Sequence, residues 1–79
     1  MTRTVRIRNL TFTRTSTNGY ASIWDVRRDD CGDRVIAIVK RNSGGFDRMM
    51  WQAYEVKSDG TAGWFIASRA RREDLASEL

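Results

Sequence analysis

The residues with the clearest capacity for binding chemistry are three arginines near the end of the chain. Arg69, Arg71 and Arg72 follow Ser68, a residue type that often caps the start of a helix. The first turn of a helix attracts anions, because its backbone N–H groups are free and the macrodipole is positive there. The sequence therefore predicts a phosphate site at this helix start. The alternative is a solvated helix face whose arginines pair with nearby acidic residues.

A second basic feature lies at the beginning of the chain. Arg6 and Arg8 alternate with Val5 and Ile7, which predicts a strand with one basic face. Alternate arginines beside aromatic residues allow a sheet to grip nucleic acid through its phosphates. They also protect an exposed strand from edge-to-edge aggregation, which is the alternative explanation. The predicted nucleic-acid-binding surface comprises Arg3, Arg6, Arg8, Arg69, Arg71 and Arg72.

The positive charge is concentrated in the first third of the chain. The net charge is +4, and residues 1–28 contain six arginines but one acidic residue, Asp25. Twelve of the fourteen basic residues are arginine. The guanidinium group binds phosphate and carboxylate bidentately, although codon usage in a GC-rich genome would produce the same bias.

The residues of this chain do not suggest catalysis. There is no histidine, and Asp30 and Asp33 flank the single cysteine, Cys31, where they disfavour its thiolate. Asp29 adds a third carboxylate, but the cluster lacks calcium-loop spacing and is more typical of a solvated turn. Gly44-Gly45 lacks the lysine of a phosphate-binding loop. We therefore predict a non-enzymatic protein without catalytic residues, metal or cofactor.

The first half of the chain predicts a β-meander within a single domain, residues 1–79. Alternation from Thr4 to Thr15 changes phase before Leu10, which predicts one long strand with a bulge near Asn9. Asn18-Gly19 is a strong hairpin signal, and a second strand is expected over Tyr20–Arg27.

The second half continues this pattern and ends in a helix. The apolar run Val35–Val39 predicts an interior strand buried on both faces. Strands are expected at Met49–Lys57 and around Gly63–Ala67, and a helix is expected from Arg69 to Leu79. The predicted fold class is α+β, a four- or five-stranded antiparallel meander followed by one C-terminal helix. The residues expected in the core are Val35, Ile36, Ile38, Val39, Phe65 and Leu75.

A single helix of this length covers only part of one sheet face. We expect a homodimer or a bound partner to cover the remaining apolar surface, unless the sheet closes on itself as a small barrel. No apolar stretch is long enough to cross a membrane, and the N-terminus has no signal-peptide pattern. Together with the single cysteine, this predicts a cytoplasmic protein.

The segment from Gly63 to Glu73, a short aromatic strand that passes through Ser-Arg into a helix, carries a resemblance. It resembles the ends of many small proteins of actinobacteria and their phages. It is also similar to the arm-type DNA-binding module of tyrosine recombinases, a three-stranded sheet plus helix. The resemblance covers the last third of the chain and implies a phage or mobile-element accessory protein that binds a host macromolecule.

Two binding functions follow from these observations. The first is contact with nucleic acid through the arginine-rich surface. The alternative is a phage or mobile-element protein that binds and modulates a host protein through an exposed apolar sheet face. Convergence of the six predicted arginines on one face would favour the first. Scattered arginines beside a contiguous apolar patch would favour the second.

Overall fold

The structure is a computed structural model that describes residues 3–18, 21–42 and 50–79. These residues form a six-stranded antiparallel sheet whose strands are neighbours in sequence order, and one short helix. The elements are β1 Thr4–Ile7, β2 Leu10–Asn18, β3 Ala21–Arg28, β4 Val35–Asn42, β5 Trp51–Val56, β6 Ala62–Arg69 and α1 Arg72–Ala76. A 3-10 turn at Asp29–Cys31 connects β3 to β4. The α+β meander is thus confirmed, although the sheet has six strands instead of four or five.

The additional strand arises where a bulge was predicted. Instead of one bulged strand, the chain makes a tight hairpin at Arg8 and Asn9, and Arg8 adopts a left-handed backbone conformation with φ of 56°. Ile7 then pairs with Leu10. Directly opposed residues point to the same face, so the phase change that was attributed to a bulge is a reversal of chain direction.

The second correction concerns the helix, which begins at Arg72 and not at Arg69. Arg69 still belongs to β6, where it pairs with Trp51 of β5. Ser68 pairs with Gln52 and is a strand residue. Arg71 occupies the N-cap position in extended conformation and makes no side-chain capping bond. The ladder between β5 and β6 thus continues past the predicted helix start.

The two faces of the sheet differ in how well they are covered. The helix face, on which α1 packs, contains the main core: Leu10, Phe12, Trp24, Val26, Ala37, Val39, Trp51, Ala53, Ala67, Leu75 and Ala76. Val5 and Leu79, near the two ends of the chain, both pack on this core. The open face contains Ile23, Ile38 and Tyr54, which line a shallow groove.

Three of the six residues predicted in the core are confirmed as buried. Ile38, Val39 and Leu75 are buried, whereas Val35 and Ile36 are half-buried. The prediction for Phe65 is wrong, because this side chain is 56% exposed. Phe65 lies on the edge strand β6 opposite Tyr54, on the open face that α1 does not cover.

Several predicted boundaries fall at the limits of the described residues. β2 continues past Thr15, the predicted end of the first strand, and Asn18 pairs with Ala21. Gly19 and Tyr20 lie outside the described residues, as do Gly44 and Gly45. β5 begins at Trp51; Met49, the predicted start of this strand, lies outside the described residues.

The burial of Ile38 leads to a stability prediction. Ile38 pairs with Tyr54 and lies in the middle of an interior strand. Shortening it to alanine removes the apolar contacts of a buried side chain, so Ile38→Ala should lower the free energy of unfolding by about 2–4 kcal/mol. Chemical denaturation followed by tryptophan fluorescence measures this change. An unchanged midpoint would show that Ile38 contributes little to the core.

Candidate nucleic-acid interface

The most distinctive polar arrangement is a cluster of three arginines and two tryptophans on the helix face. We name this group, Arg3, Arg41, Arg72, Trp24 and Trp51, the Arg–Trp cluster. The two indole rings lie 5.8 Å apart between centroids and are tilted by 59°. Trp24 and Trp51 are only 3% and 8% exposed. The two rings are therefore part of the protein interior, where neighbouring side chains hold them in place.

The guanidinium groups of Arg41 and Arg72 lie over this platform. The Cζ atom of Arg72 is 4.9 Å from the centroid of Trp51 and 5.8 Å from that of Trp24. The Cζ atom of Arg41 is 5.1 Å from the centroid of Trp51. Such cation–π contacts hold a guanidinium group against an aromatic face and fix the position of its charge.

The helix determines the position of Arg72. Arg72 is the first residue of α1, and Leu75 and Ala76 anchor that helix in the main core. Residues three and four apart lie on the same side of a helix, so burial of Leu75 and Ala76 turns Arg72 toward the sheet as well. The short helix thus brings a positive charge to the tryptophan pair.

Two other positive charges lie near the guanidinium group of Arg72. Burial lowers the pKa of the Arg72 guanidinium, and the nearby positive charges of Arg3 and Arg41 lower it further, while Glu73 raises it. Arginine remains cationic at neutral pH despite such effects. The Nε atom of Arg72 is buried without a hydrogen-bond partner among the described residues. A bound anion would offset the repulsion between Arg72 and the positive charges of Arg3 and Arg41.

Two more arginines of the sheet lie next to the cluster. Arg14 pairs directly with Trp24, and its backbone N–H donates to the carbonyl of Arg3 at 2.8 Å. Arg14 therefore extends the basic surface along β2. Arg69 pairs with Trp51, but its Nη2 donates to Glu78 Oε1 at 2.9 Å, which neutralises that charge.

The six predicted arginines do not form one surface. Arg3 and Arg72 belong to the Arg–Trp cluster, and Arg69 lies beside it in an ion pair. Arg71 is exposed, with its Nε 3.9 Å from Glu73. The scatter of the six arginines favours a protein partner. The proximity of Arg3 and Arg72 to Arg41 favours an anionic partner.

The remaining two predicted arginines lie at the opposite end of the sheet. Arg6 is on the face opposite to Val5 and Ile7, and its guanidinium forms an ion pair with Asp29. Arg8 is in the hairpin turn. Arg6 and Arg8 are thus separated from Arg71 and Arg72, which follow β6.

The phosphate site expected at the start of the helix does not have the predicted geometry. Only Arg72 belongs to the first turn, together with the acidic Glu73 and Asp74. A helix of five residues has few aligned peptide dipoles, and these carboxylates occupy the position that an anion would take. The anion-binding capacity of this region therefore rests on the guanidinium groups.

The predicted binding surface did not include Arg41, Trp24 or Trp51. The relevant signal was the alternation within single strands. Arg41 follows Val39 by two residues, and Trp51 precedes Ala53 by two, so both lie on the helix face. The antiparallel pairing of β4 and β5 brings them to the same end of the sheet. Recognising the cluster from sequence would have required the registers that pair Trp24 with Val39 and Arg41 with Trp51.

The acidic turn offers no alternative site. Asp29 is paired with Arg6, and Cys31 Sγ donates to Asp30 Oδ1 across 3.5 Å. Within residues 3–18, 21–42 and 50–79, no group of three or more potential metal ligands comes together. In the same residues, no helix is long and apolar enough to cross a membrane.

We compared the chain with protein-family models, with curated proteins and with solved structures, and found no match. The resemblance of residues 63–73 to phage and actinobacterial proteins therefore stays a prediction.

Proposed function

We propose that this chain is a small, non-enzymatic binding protein that contacts nucleic acid through the Arg–Trp cluster. The observation that carries the proposal is the placement of the Arg41 and Arg72 guanidinium groups over the Trp24–Trp51 pair, with the positive charge of Arg3 near that of Arg72. These arginines come from the segment before β1, from β4 and from α1. Their positive charges are therefore close together only in the folded chain. Positive groups held in a fixed array are what a phosphate backbone binds.

The proposed contacts are to phosphates and not to bases. Trp24 and Trp51 are buried beneath the guanidinium groups, so neither ring is open to stack on a nucleotide base. Arginine contacts to phosphates position a protein on nucleic acid but carry little sequence information. Weak sequence preference is therefore part of the proposal, as is similar affinity for single strands and duplexes of equal charge.

Binding of a random DNA duplex to the wild-type protein tests this function. We expect measurable binding at about 50 mM salt and a steep loss of affinity toward physiological salt, because each neutralised phosphate releases condensed counterions. Fluorescence anisotropy over a series of salt concentrations measures both. Absence of binding at about 50 mM salt, where electrostatic attraction is strong, would overturn the proposal.

The alternative function has an observation of its own. Trp64, Phe65 and Ile66 form a consecutive run of exposed apolar residues on the edge strand. Such a patch supports a phage or mobile-element protein that binds and modulates a host protein. Both functions fit a cytoplasmic protein, which the single cysteine of the chain also favours.

A further inference from the structure

The open face of the sheet contains a groove on the side that α1 does not cover. Ile23, Ile38 and Tyr54 lie on three neighbouring strands and form its apolar floor. Ile38 is only 9% exposed although α1 packs on the other face, so the residues around it enclose it. The groove has a volume of about 410 Å³, within the range of sites that bind small molecules.

The turn before β6 completes the lining, and its backbone is held in place. Gly60, Thr61 and Ala62 all contribute to the groove. The N–H of Gly60 donates to the carbonyl of Lys57 at 2.9 Å, and the N–H of Lys57 donates to the carbonyl of Thr61 at 2.8 Å. Gly60 has a φ of 88°, which a residue with a side chain rarely adopts. The groove is therefore built from paired strands and a closed turn.

Two opposite charges, those of Asp25 and Lys40, also line the groove. Asp25 is directly opposite Ile38, and Lys40 is directly opposite Ile23. The two charged residues are therefore diagonal neighbours on one face of the sheet, with the two isoleucines on the other diagonal. No ion pair joins Asp25 to Lys40 in the part of the chain that the structure describes.

The carboxylate of Asp25 has one weak contact of its own. Its Oδ2 lies 3.9 Å from Nη2 of Arg27, beyond hydrogen-bond distance. The Nε of Arg27 donates instead to the carbonyl of Asp33 at 3.1 Å. The side chain of Asp25 is 24% exposed, so the carboxylate is reachable from the groove. Both charges are thus placed to meet a ligand.

We propose that this groove binds a free α-amino acid with a large apolar side chain, in its zwitterionic form. The carboxylate of the ligand pairs with Lys40, its ammonium group pairs with Asp25, and its side chain packs on Ile38 and Tyr54. An anion is repelled by Asp25 and a cation by Lys40, so the groove selects a ligand with both signs of charge. A neutral apolar molecule would remove water from both charges without replacing it.

The spacing of the two charges favours an amino acid over a longer zwitterion. Diagonal neighbours on a sheet lie about 7–8 Å apart, a gap that one small molecule can bridge. The ammonium and carboxylate groups of an α-amino acid are bonded to the same carbon atom. In a peptide, each added residue moves these groups farther apart, by up to about 3.3–3.6 Å.

Titration of the ¹³C-labelled full chain with L-phenylalanine tests the proposal. The methyl signals of Ile23 and Ile38 should shift progressively and reach saturation. N-acetyl-L-phenylalanine is an anion and L-phenylalaninamide is a cation, so each lacks one of the two charges. Both should bind about tenfold more weakly, because each loses one charge-assisted contact. Glycine, which has both charges but no side chain, should also bind more weakly.

Two substitutions assign each ligand charge to one residue. Asp25→Asn should abolish the preference for L-phenylalanine over N-acetyl-L-phenylalanine. Lys40→Gln should abolish the preference over L-phenylalaninamide. A loss of stability alone would weaken the binding of all ligands alike, so these changes in preference report on the charges themselves. Asp30→Asn, which removes an exposed carboxylate outside the groove, should bind every ligand as the wild type does.

Three results would overturn the proposal. The first is the absence of saturable shifts of Ile23 and Ile38 with L-phenylalanine up to its solubility limit. The second is equal affinity of the wild type for the zwitterion, the anion and the cation. The third is an unchanged order of preference in both Asp25→Asn and Lys40→Gln. The Arg–Trp cluster lies on the helix face, so none of these results would affect the proposed nucleic-acid contact.

Discussion

Replacing Phe12 with alanine should lower the free energy of unfolding by about 3–5 kcal/mol. Phe12 is fully buried and lies opposite both Val5 and Val26, at the centre of the helix face. Removing its ring leaves a large cavity among strands that cannot collapse without breaking their hydrogen bonds. Because small domains have about 5–15 kcal/mol of stability in total, the variant should be close to unfolding at physiological temperature. Urea denaturation measures the loss.

Phe65→Ala is the matched control, since the same group is removed from an exposed position. Phe65 makes an edge-to-face contact with Tyr54, with ring centroids 5.8 Å apart, and is otherwise open to solvent. We expect a loss of less than about 1.5 kcal/mol, the range for one such ring contact. Equal losses for the two variants would contradict the assignment of the core to the helix face.

The double substitution Arg3→Gln with Arg72→Gln should weaken nucleic-acid binding about equally for every sequence. Each lost phosphate contact should reduce affinity about tenfold at about 50 mM salt. The slope of the logarithm of affinity against the logarithm of salt concentration should become shallower by about one unit for each lost contact. Fluorescence anisotropy with several unrelated duplexes measures both quantities.

Arg8→Gln with Arg34→Gln provides the control for total charge. Both arginines are exposed, and they lie at the end of the sheet farthest from the Arg–Trp cluster. This variant has the same net charge as the cluster variant, so it should lose much less affinity if the cluster is the site. Comparable losses in the two variants would mean that net charge, and not the cluster, governs binding. Unfolding midpoints establish that both variants are folded.

The meander could be predicted from sequence because each strand carries its own pattern. The continuous apolar run at Val35–Val39 correctly indicated the interior strand β4. The reversal at Arg8 and Asn9 could not be predicted in the same way, since a bulge and a tight turn both shift the alternation by one residue. The turn contains no glycine, and Arg8 adopts the left-handed conformation instead.

The end of the sheet was predicted wrongly for a different reason. Ser68 followed by charged residues has the composition of a helix start, but backbone pairing with Gln52 keeps it in β6. Local propensity is a weak guide wherever long-range pairing competes with it. The misplaced helix start then placed Arg69 and Arg71 in a phosphate site that the fold does not form.

The Arg–Trp cluster depends on contacts between residues that are far apart in sequence. Arg3, Arg41 and Arg72 are separated by more than thirty residues each, so no local motif relates them. Their convergence follows from the strand registers and from the docking of α1 through Leu75. The sequence predicted a basic protein that binds nucleic acid, but only the fold indicates which arginines act together.

The indole N–H resonances of the three tryptophans provide the most direct test of the proposed interface. Trp24 and Trp51 lie beneath the guanidinium groups of the cluster, while Trp64 lies near Glu55 and Lys57, at the other end of β5. In a ¹H–¹⁵N titration with a random DNA duplex, the signals of Trp24 and Trp51 should shift progressively and that of Trp64 should stay in place. A shift of Trp64 alone, or of none of the three at low salt, would contradict binding through the Arg–Trp cluster.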